Sequence, residues 1–310
     1  MDSEPILFFN RHTRQVEEEA VYGERWLRWT YGSISGRLAG FLVAKRILFS
    51  RWYGWRMNRP SSRAKIRPFI DSFDLDVLEF ADPVPSFQSF NEFFYRRLKP
   101  ACRPVDPRPH VATFPADGRH LGFADLDACQ SFFVKGQQFD LGAFLADPRR
   151  LQRYAGGPAV FSRLCPVDYH RFHFPVPGVP GKPVQLNGFL WSVSPIALRR
   201  NLSLLWQNRR WLTEIETESF GRVLMAEIGA TNVGSTVYTF EPGLPVAKGA
   251  EKGYFRFGGS AVLTLFEPNR VRLADDLLAC TRQRQEMYAH MGTDMATSLS
   301  SLAPQPPKAS

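Results

Sequence analysis

From Pro100 onward the chain is cut into pieces too short for ordinary helices, and this texture constrains the fold more than any other feature. Prolines cluster at Pro100, Pro104, Pro107, Pro109 and Pro115, and glycines punctuate strand-length segments as far as about Leu273. Proline removes a backbone N–H and fixes φ, which ends helices; glycine supplies the turns between short strands. The reading is an α+β chain with a β-rich, barrel- or sandwich-like core over residues 100–291. A helix-like insertion from Pro195 to Trp206 and a last helical piece from Asp275 to Met291 belong to that core. Ahead of it, residues 21–99 carry helical periodicity: Trp26, Leu27, Tyr31 and Ile34 recur at three- and four-residue steps, and Leu38, Phe41, Leu42 and Ile47 extend the apolar face. Asn58-Arg59-Pro60-Ser61-Ser62 breaks the pattern and caps a short helix ending near Phe73. Phe90 to Leu98 is read as a further helix with aromatics on one side. Residues 1–20 are read as a mobile leader or edge strand, and residues 292–310, rich in Ser, Pro and Ala, as a disordered tail.

Charge narrows the partners. The net charge is +9, and eleven Lys or Arg residues but only one acidic residue, Glu24, fall between Val21 and Arg67. Trp26, Trp29, Trp52 and Trp55 lie in the same window. Cations beside interfacial aromatics suit an anionic membrane surface; the same residues also suit simple packing on the rest of the fold. Phosphate would draw them to nucleic acid too, but no helix-turn-helix, zinc-finger or RNP-type pattern is present, so no nucleic-acid partner is expected. No apolar run approaches the ~18–20 residues that span a bilayer, and Met1–Gln15 lacks the pattern of a secretory signal. Cys102, Cys129, Cys165 and Cys280 are scattered, which fits a reducing compartment better than a disulfide framework.

Three short segments carry candidate chemistry. Asp168-Tyr169-His170-Arg171-Phe172-His173 places two histidines close together. On a strand they would face opposite sides, and no carboxylate or cysteine cluster of ligand spacing completes a metal site, so no metal is expected. Pro115-Ala116-Asp117-Gly118 is a turn by composition. Gly258-Gly259-Ser260 lies between two expected strands, Gly253–Phe257 and Ala261–Phe266. The glycines permit a sharp bend and let a nucleophilic Ser260 approach the preceding carbonyl, provided a base takes its proton. A plain hairpin turn suits the same three residues.

Taken in order, these segments resemble the phosphatidylserine decarboxylase family, over roughly Val21 to Met291. The resemblance is carried by Phe90-Asn91-Glu92-Phe93-Phe94-Tyr95-Arg96-Arg97-Leu98-Lys99-Pro100 with Arg103-Pro104-Val105-Asp106, and by Pro115-Ala116-Asp117-Gly118. Val134-Lys135-Gly136-Gln137, Cys165 to His173, Asn187-Gly188 through Ser194-Pro195, and Ile228 to Ser235 follow in register. Lys248 to Ser260 is similar to the family's self-cleavage segment, in its branch with Gly-Gly-Ser rather than Leu-Gly-Ser. The family usually has threonine after the serine; here Ala261 stands there, which removes a hydroxyl beside the reacting centre.

The resemblance implies two tasks for one site. First, Asp117 orients His173, which takes the Ser260 proton. Ser260 attacks the Gly259 carbonyl, and the chain separates into residues 1–259 (β chain) and 260–310 (α chain), Ser260 becoming a covalent pyruvoyl cofactor. Second, that ketone condenses with the amine of phosphatidylserine as a Schiff base and draws off the electrons left by the carboxylate. His170 is the candidate proton donor, tuned by Asp168. Residues 21–67 would then dock the protein peripherally on the anionic cytoplasmic leaflet; a homodimer is left open. The rival readings are a pyruvoyl enzyme for another amino-acid substrate, an uncleaved Ser-His-Asp hydrolase, and a non-catalytic lipid-binding module.

Overall fold

A computed structural model describes residues 5–19, 54–127, 136–229, 236–256 and 260–301. In chain order its strands are β1 (Leu7–Asn10), β2 (Gln15–Glu18), β3 (Val111–Thr113), β4 (Gly118–Phe123), β5 (Ala159–Leu164), β6 (Arg171–His173), β7 (Val179–Pro180) and β8 (Val184–Leu186). They continue with β9 (Arg210–Glu216), β10 (Arg222–Ile228), β11 (Thr236–Tyr238), β12 (Glu251–Phe255), β13 (Ser260–Leu265), β14 (Val271–Leu273), β15 (Glu286–Ala289) and β16 (Asp294–Ser298). One large sheet runs β2-β1-β15-β4-β5-β13-β10-β9-β7, with β8 also paired to β9. Two smaller sheets run β11-β12-β6 and β14-β16-β3.

The large sheet is covered on both faces, which explains why its central strands β4, β5 and β13 are buried at every position rather than at alternate ones. Side chains alternate along β13. Ala261, Leu263 and Leu265 join Phe161, Leu224 and Ile228 in a core closed by short helices, including Leu141–Leu145 and Leu204–Gln207. Val262 points the other way, into a core shared with Leu164, Met225, and Phe172 and Phe255 of the β11-β12-β6 sheet. A third, aromatic cluster lies outside the sheets, where Phe69, Phe80, Phe90, Phe93 and Phe94 pack together. Its helix Phe90–Phe94 is capped by Ser89, which accepts from the Glu92 N–H, while the Glu92 carboxylate reaches back to accept from the Gln88 N–H.

The β-rich, mixed architecture agrees with the sequence reading; several boundaries do not. Of the two readings of the leader, the edge strand holds: it is a hairpin, β1–β2, whose β1 pairs in parallel with β15 at the sheet edge. The last helix covers only Asp275–Arg282. Arg284 takes a left-handed conformation (φ 57°), and the chain then enters β15 to pair with β4. Residues 294–298, placed in a disordered tail by composition, form β16 between β14 and β3. The helix expected over Phe90–Leu98 stops at Phe94. The helices Leu141–Leu145 and Pro148–Tyr154 were not anticipated. Most of the basic, tryptophan-bearing segment, residues 20–53, lies outside the described residues, as do residues 302–310.

Candidate active site

The strands flanking the Gly-Gly-Ser segment do not form a hairpin with each other. β12 pairs with β11 and β6, whereas β13 lies between β10 and β5 of the large sheet. Residues 257–259, Gly259 among them, fall outside the described residues; Ser260 is the first residue of β13. The chain therefore passes from one sheet to another at this serine.

Strand register gathers the other candidates at the same end of the large sheet. Ser260 is opposite Leu164, and Gly118 packs so closely on the next strand that an added Cβ would sit 2.5 Å from the Arg163 carbonyl oxygen. Adjacent strands lie ~4.8 Å apart, so Gly118 and Ser260, two strands apart, are separated by about 10 Å. Asp117 immediately precedes β4. His173 is tied to the same turn, its N–H donating to the Pro115 carbonyl at 2.7 Å. Ala261 faces the opposite core from Ser260, beside Ile228 and Leu263. A threonine hydroxyl there would point away from the face that carries Ser260 Oγ.

His173 is buried, and burial lowers its pKa below the usual 6.5, against the opposing pull of the Gly249 carbonyl, Glu251 and Asp117. The ring is therefore neutral at pH 7. Nδ1 lies 3.0 Å from the Gly249 carbonyl oxygen, which can only accept, so Nδ1 carries the proton and Nε2 is the basic nitrogen. Among the described residues neither His173 Nε2 nor the fully buried Ser260 Oγ has a hydrogen-bond partner. A base with an available lone pair and an unengaged hydroxyl thus stand at one end of the fold.

The acidic members sit differently from the expected triad. The Asp117 carboxylate does not hydrogen-bond to His173. It accepts from Arg103 Nε at 3.0 and 2.8 Å and from the Met291 N–H at 2.8 Å. Burial raises the Asp117 carboxyl above the usual range, with Arg103 and Met291 opposing. Gly249, not Asp117, orients the imidazole. Similarly, the Asp168 carboxylate is held by Arg119 Nη1 at 2.6 Å and by the Cys165 N–H at 2.6 Å. Asp168 meets His170 through its carbonyl, which accepts from Nδ1 at 2.9 Å. The His170 ring lies on Phe94, centroids 3.8 Å apart.

Sequence reasoning missed two charged assemblies here. In the first, Arg103 bridges Asp117 to Glu79, donating to both Glu79 oxygens at 2.9 and 3.0 Å. In the second, Lys252 and Glu227, both fully buried, meet at 2.6 Å, and Tyr238 donates to the same carboxylate at 2.8 Å. Glu227 is opposite Val262, two residues from Ser260, so it shares the face on which Ser260 lies. Their partners come from distant segments, and no local spacing announces them. Among the described residues no group of His, Cys, Asp and Glu could hold a metal ion.

Comparison with known proteins now gives this geometry a family. The profile described as phosphatidylserine decarboxylase matches residues 90–294. The phosphatidylserine decarboxylase proenzyme of Fusobacterium nucleatum subsp. nucleatum is 39% identical over 292 residues, covering 94% of this chain and 97% of that one. That of Chlamydia muridarum is 42% identical over 301 residues, covering 97% and 100%. That of Desulfitobacterium hafniense is 39% identical over 287 residues, covering 93% and 96%. A profile match over most of the chain and near-full-length similarity to these proenzymes place the chain in the phosphatidylserine decarboxylase family.

Proposed function

We propose that this chain is a precursor that cuts itself between Gly259 and Ser260 and, once cut, decarboxylates phosphatidylserine to phosphatidylethanolamine. One observation carries the reading: the basic Nε2 of a neutral His173 and the unengaged Oγ of Ser260, both buried, lie at the same end of the fold.

In maturation, His173 Nε2 takes the Ser260 Oγ proton and Oγ bonds to the Gly259 carbonyl carbon. The peptide C–N bond breaks, leaving an ester and a free amine on residue 260. Loss of the Cα proton expels the Gly259 carboxylate with its new oxygen. Water then releases ammonia from the dehydroalanine, and residue 260 ends as a pyruvoyl group. The Asp117 charge acts on His173 through space and favours the imidazolium that forms. Ser260 suits this fate, because losing Oγ breaks no hydrogen bond among the described residues. When formed, the pyruvoyl ketone supplies the electron sink for loss of the substrate carboxylate. A proton must then return to the substrate carbon, and His170 Nε2 is the assigned carrier, its ring fixed by the Asp168 carbonyl and Phe94.

The same reading places the protein on the anionic cytoplasmic leaflet as a peripheral protein. Its support is the described edge of the basic segment, where Trp55 is half exposed and the Arg59 guanidinium lies 3.8 Å from its ring. No helix among the described residues is long and apolar enough to cross a membrane.

The test is release of carbon dioxide from phosphatidylserine in mixed micelles, with free serine as the competing substrate. Turnover of the lipid alone supports the reading; turnover of serine alone favours a soluble-substrate enzyme. An intact chain labelled at Ser260 by a fluorophosphonate would instead mark a serine hydrolase, and an intact, unlabelled chain a binding module.

A further inference from the structure

Arg96 is the one member of the arginine–carboxylate assembly around Asp117 whose guanidinium has no acid of its own among the described residues. It is only 5% exposed. Nη2 donates to the Val167 carbonyl at 3.3 Å, and the Phe80 and Phe93 rings lie 4.8 and 4.9 Å from the guanidinium carbon. Nε and Nη1 are buried and find no acceptor among the described residues. Burial lowers its pKa to about 10, so the group keeps its charge at neutral pH. A buried cation with two idle donors is costly unless something meets it.

Beside it is a space. Arg96 lines a cavity of about 220 Å³ between the aromatic cluster and the edge of the large sheet. At roughly 30 Å³ per water, that volume holds several waters or one small oxyanion. The other charged groups on its walls already have ionic or hydrogen-bonded partners, although Arg119 Nε, 3.4 Å from Glu19, is also without a hydrogen bond among the described residues. Arg103 holds Glu79 and Asp117, Arg119 holds Asp168, Glu17 accepts from Asn10 and Thr13, and Asp76 caps the Leu78 N–H. The carboxylates also set a limit on the ligand: they repel a doubly charged anion more than a singly charged one.

We propose that Arg96 Nε and Nη1 form the cationic half of a binding site for a monoanionic phosphate oxyanion, of the phosphodiester type. Resting on the function proposed above, the phosphodiester of the substrate lipid is its source, and Arg96 is a residue that selects a phospholipid over a free amino acid. Free phosphate is the alternative source of the same chemistry.

The experiment uses the full chain carrying Ser260→Ala, titrated calorimetrically with glycerophosphoserine and, separately, with inorganic phosphate. Glycerophosphoserine is expected to bind, with Arg96→Gln weakening it by about tenfold or more, as for loss of charged hydrogen bonds, and Arg96→Lys by less. Binding of inorganic phosphate alone, lost in Arg96→Gln, keeps the oxyanion site and overturns its assignment to the lipid. No heat with either probe, or binding indifferent to both variants, overturns the site. If Arg96→Gln does not melt cooperatively, Arg96→Lys carries the comparison. Failure of the self-cleavage reading shows separately, as a wild-type chain that stays whole.

Discussion

Arg103 Nε donates to both carboxylate oxygens of Asp117, at 3.0 and 2.8 Å, and no hydrogen bond joins Asp117 to His173. The candidate acid is therefore anchored to a cation, and it influences the candidate base, His173, by its charge rather than by contact. Its second tie, through Arg103 to Glu79, links the helical segment ahead of the core to the strand end that bears the chemistry.

This arrangement limits how much Asp117→Asn can cost. The Gly249 carbonyl already fixes the His173 tautomer, so only the electrostatic contribution is lost, a fall of about 10- to 100-fold in the self-cleavage rate. Arg103→Leu does more to the fold, because it leaves the buried Asp117 carboxylate without its cation. It is expected to lower stability by about 3–5 kcal/mol in urea melts. A fall near ten-thousandfold in Asp117→Asn, timed on denaturing gels, would mean that Asp117 holds His173 directly during the reaction.

Self-cleavage should depend on pH through His173. Burial sets its pKa below the usual 6.5, so the basic form prevails through neutral pH. The rate should be flat from pH 7 upward and fall as acidification protonates Nε2, with its midpoint below 6.5. A midpoint above 7 would contradict the assignment of His173 as the base.

The buried Lys252–Glu227 pair makes a different prediction. Removing one partner leaves an unpaired buried charge, so Lys252→Met or Glu227→Leu alone should each cost about 3–5 kcal/mol. The double variant removes both charges and should recover most of that loss, since well-packed apolar pairs often match buried ion pairs. A double-mutant cycle in guanidinium measures the coupling; additive losses would show that the pair acts through something other than its charges.

How far the fold could be read from the sequence follows from how local each signal is. Proline and glycine punctuation revealed the β-rich core, and the aromatic pattern after Phe90 marked a helix whose start the structure keeps. The leader hairpin was ambiguous because its anchor is remote: Glu19 meets Arg163, 144 positions away. The polar composition of Asp294–Ser298 suggested disorder, yet pairing on both sides makes it a strand. Ser260, His173 and Asp117 were proposed as site residues through the resemblance. The partners of Asp117 and Asp168 were not, because Arg103 and Arg119 stand in unrelated segments.

Glu19 gives the leader a pH signature. Burial opposes its ionisation, but Arg163 and Arg119 outweigh that and bring it to about 2, below its unfolded value of 4.5. A carboxylate lowered on folding stabilises fully above its unfolded pKa, and the contribution disappears as pH falls from 4.5 toward 2. Wild type should lose melting temperature across that window more steeply than Glu19→Gln. Parallel curves would remove Glu19 from the account.

Membrane docking is tested at the described edge of the basic segment. Replacing Trp55 by Ser and Arg59 by Gln should weaken sedimentation with phosphatidylserine-containing vesicles several-fold, at roughly 1 kcal/mol per basic residue near the surface. The effect should shrink in high salt. Unchanged sedimentation would place the anchor elsewhere.

The central claim is that Ser260 is consumed to make the catalytic group, and intact mass spectrometry of the purified wild-type chain tests it most directly. The account predicts two polypeptides, residues 1–259 and residues 260–310, the smaller lacking a free amino terminus and carrying a ketone that reacts with hydrazine, while Ser260→Ala remains one chain. A wild-type protein recovered only as a single uncut chain of 310 residues, yet active on phosphatidylserine, would contradict it.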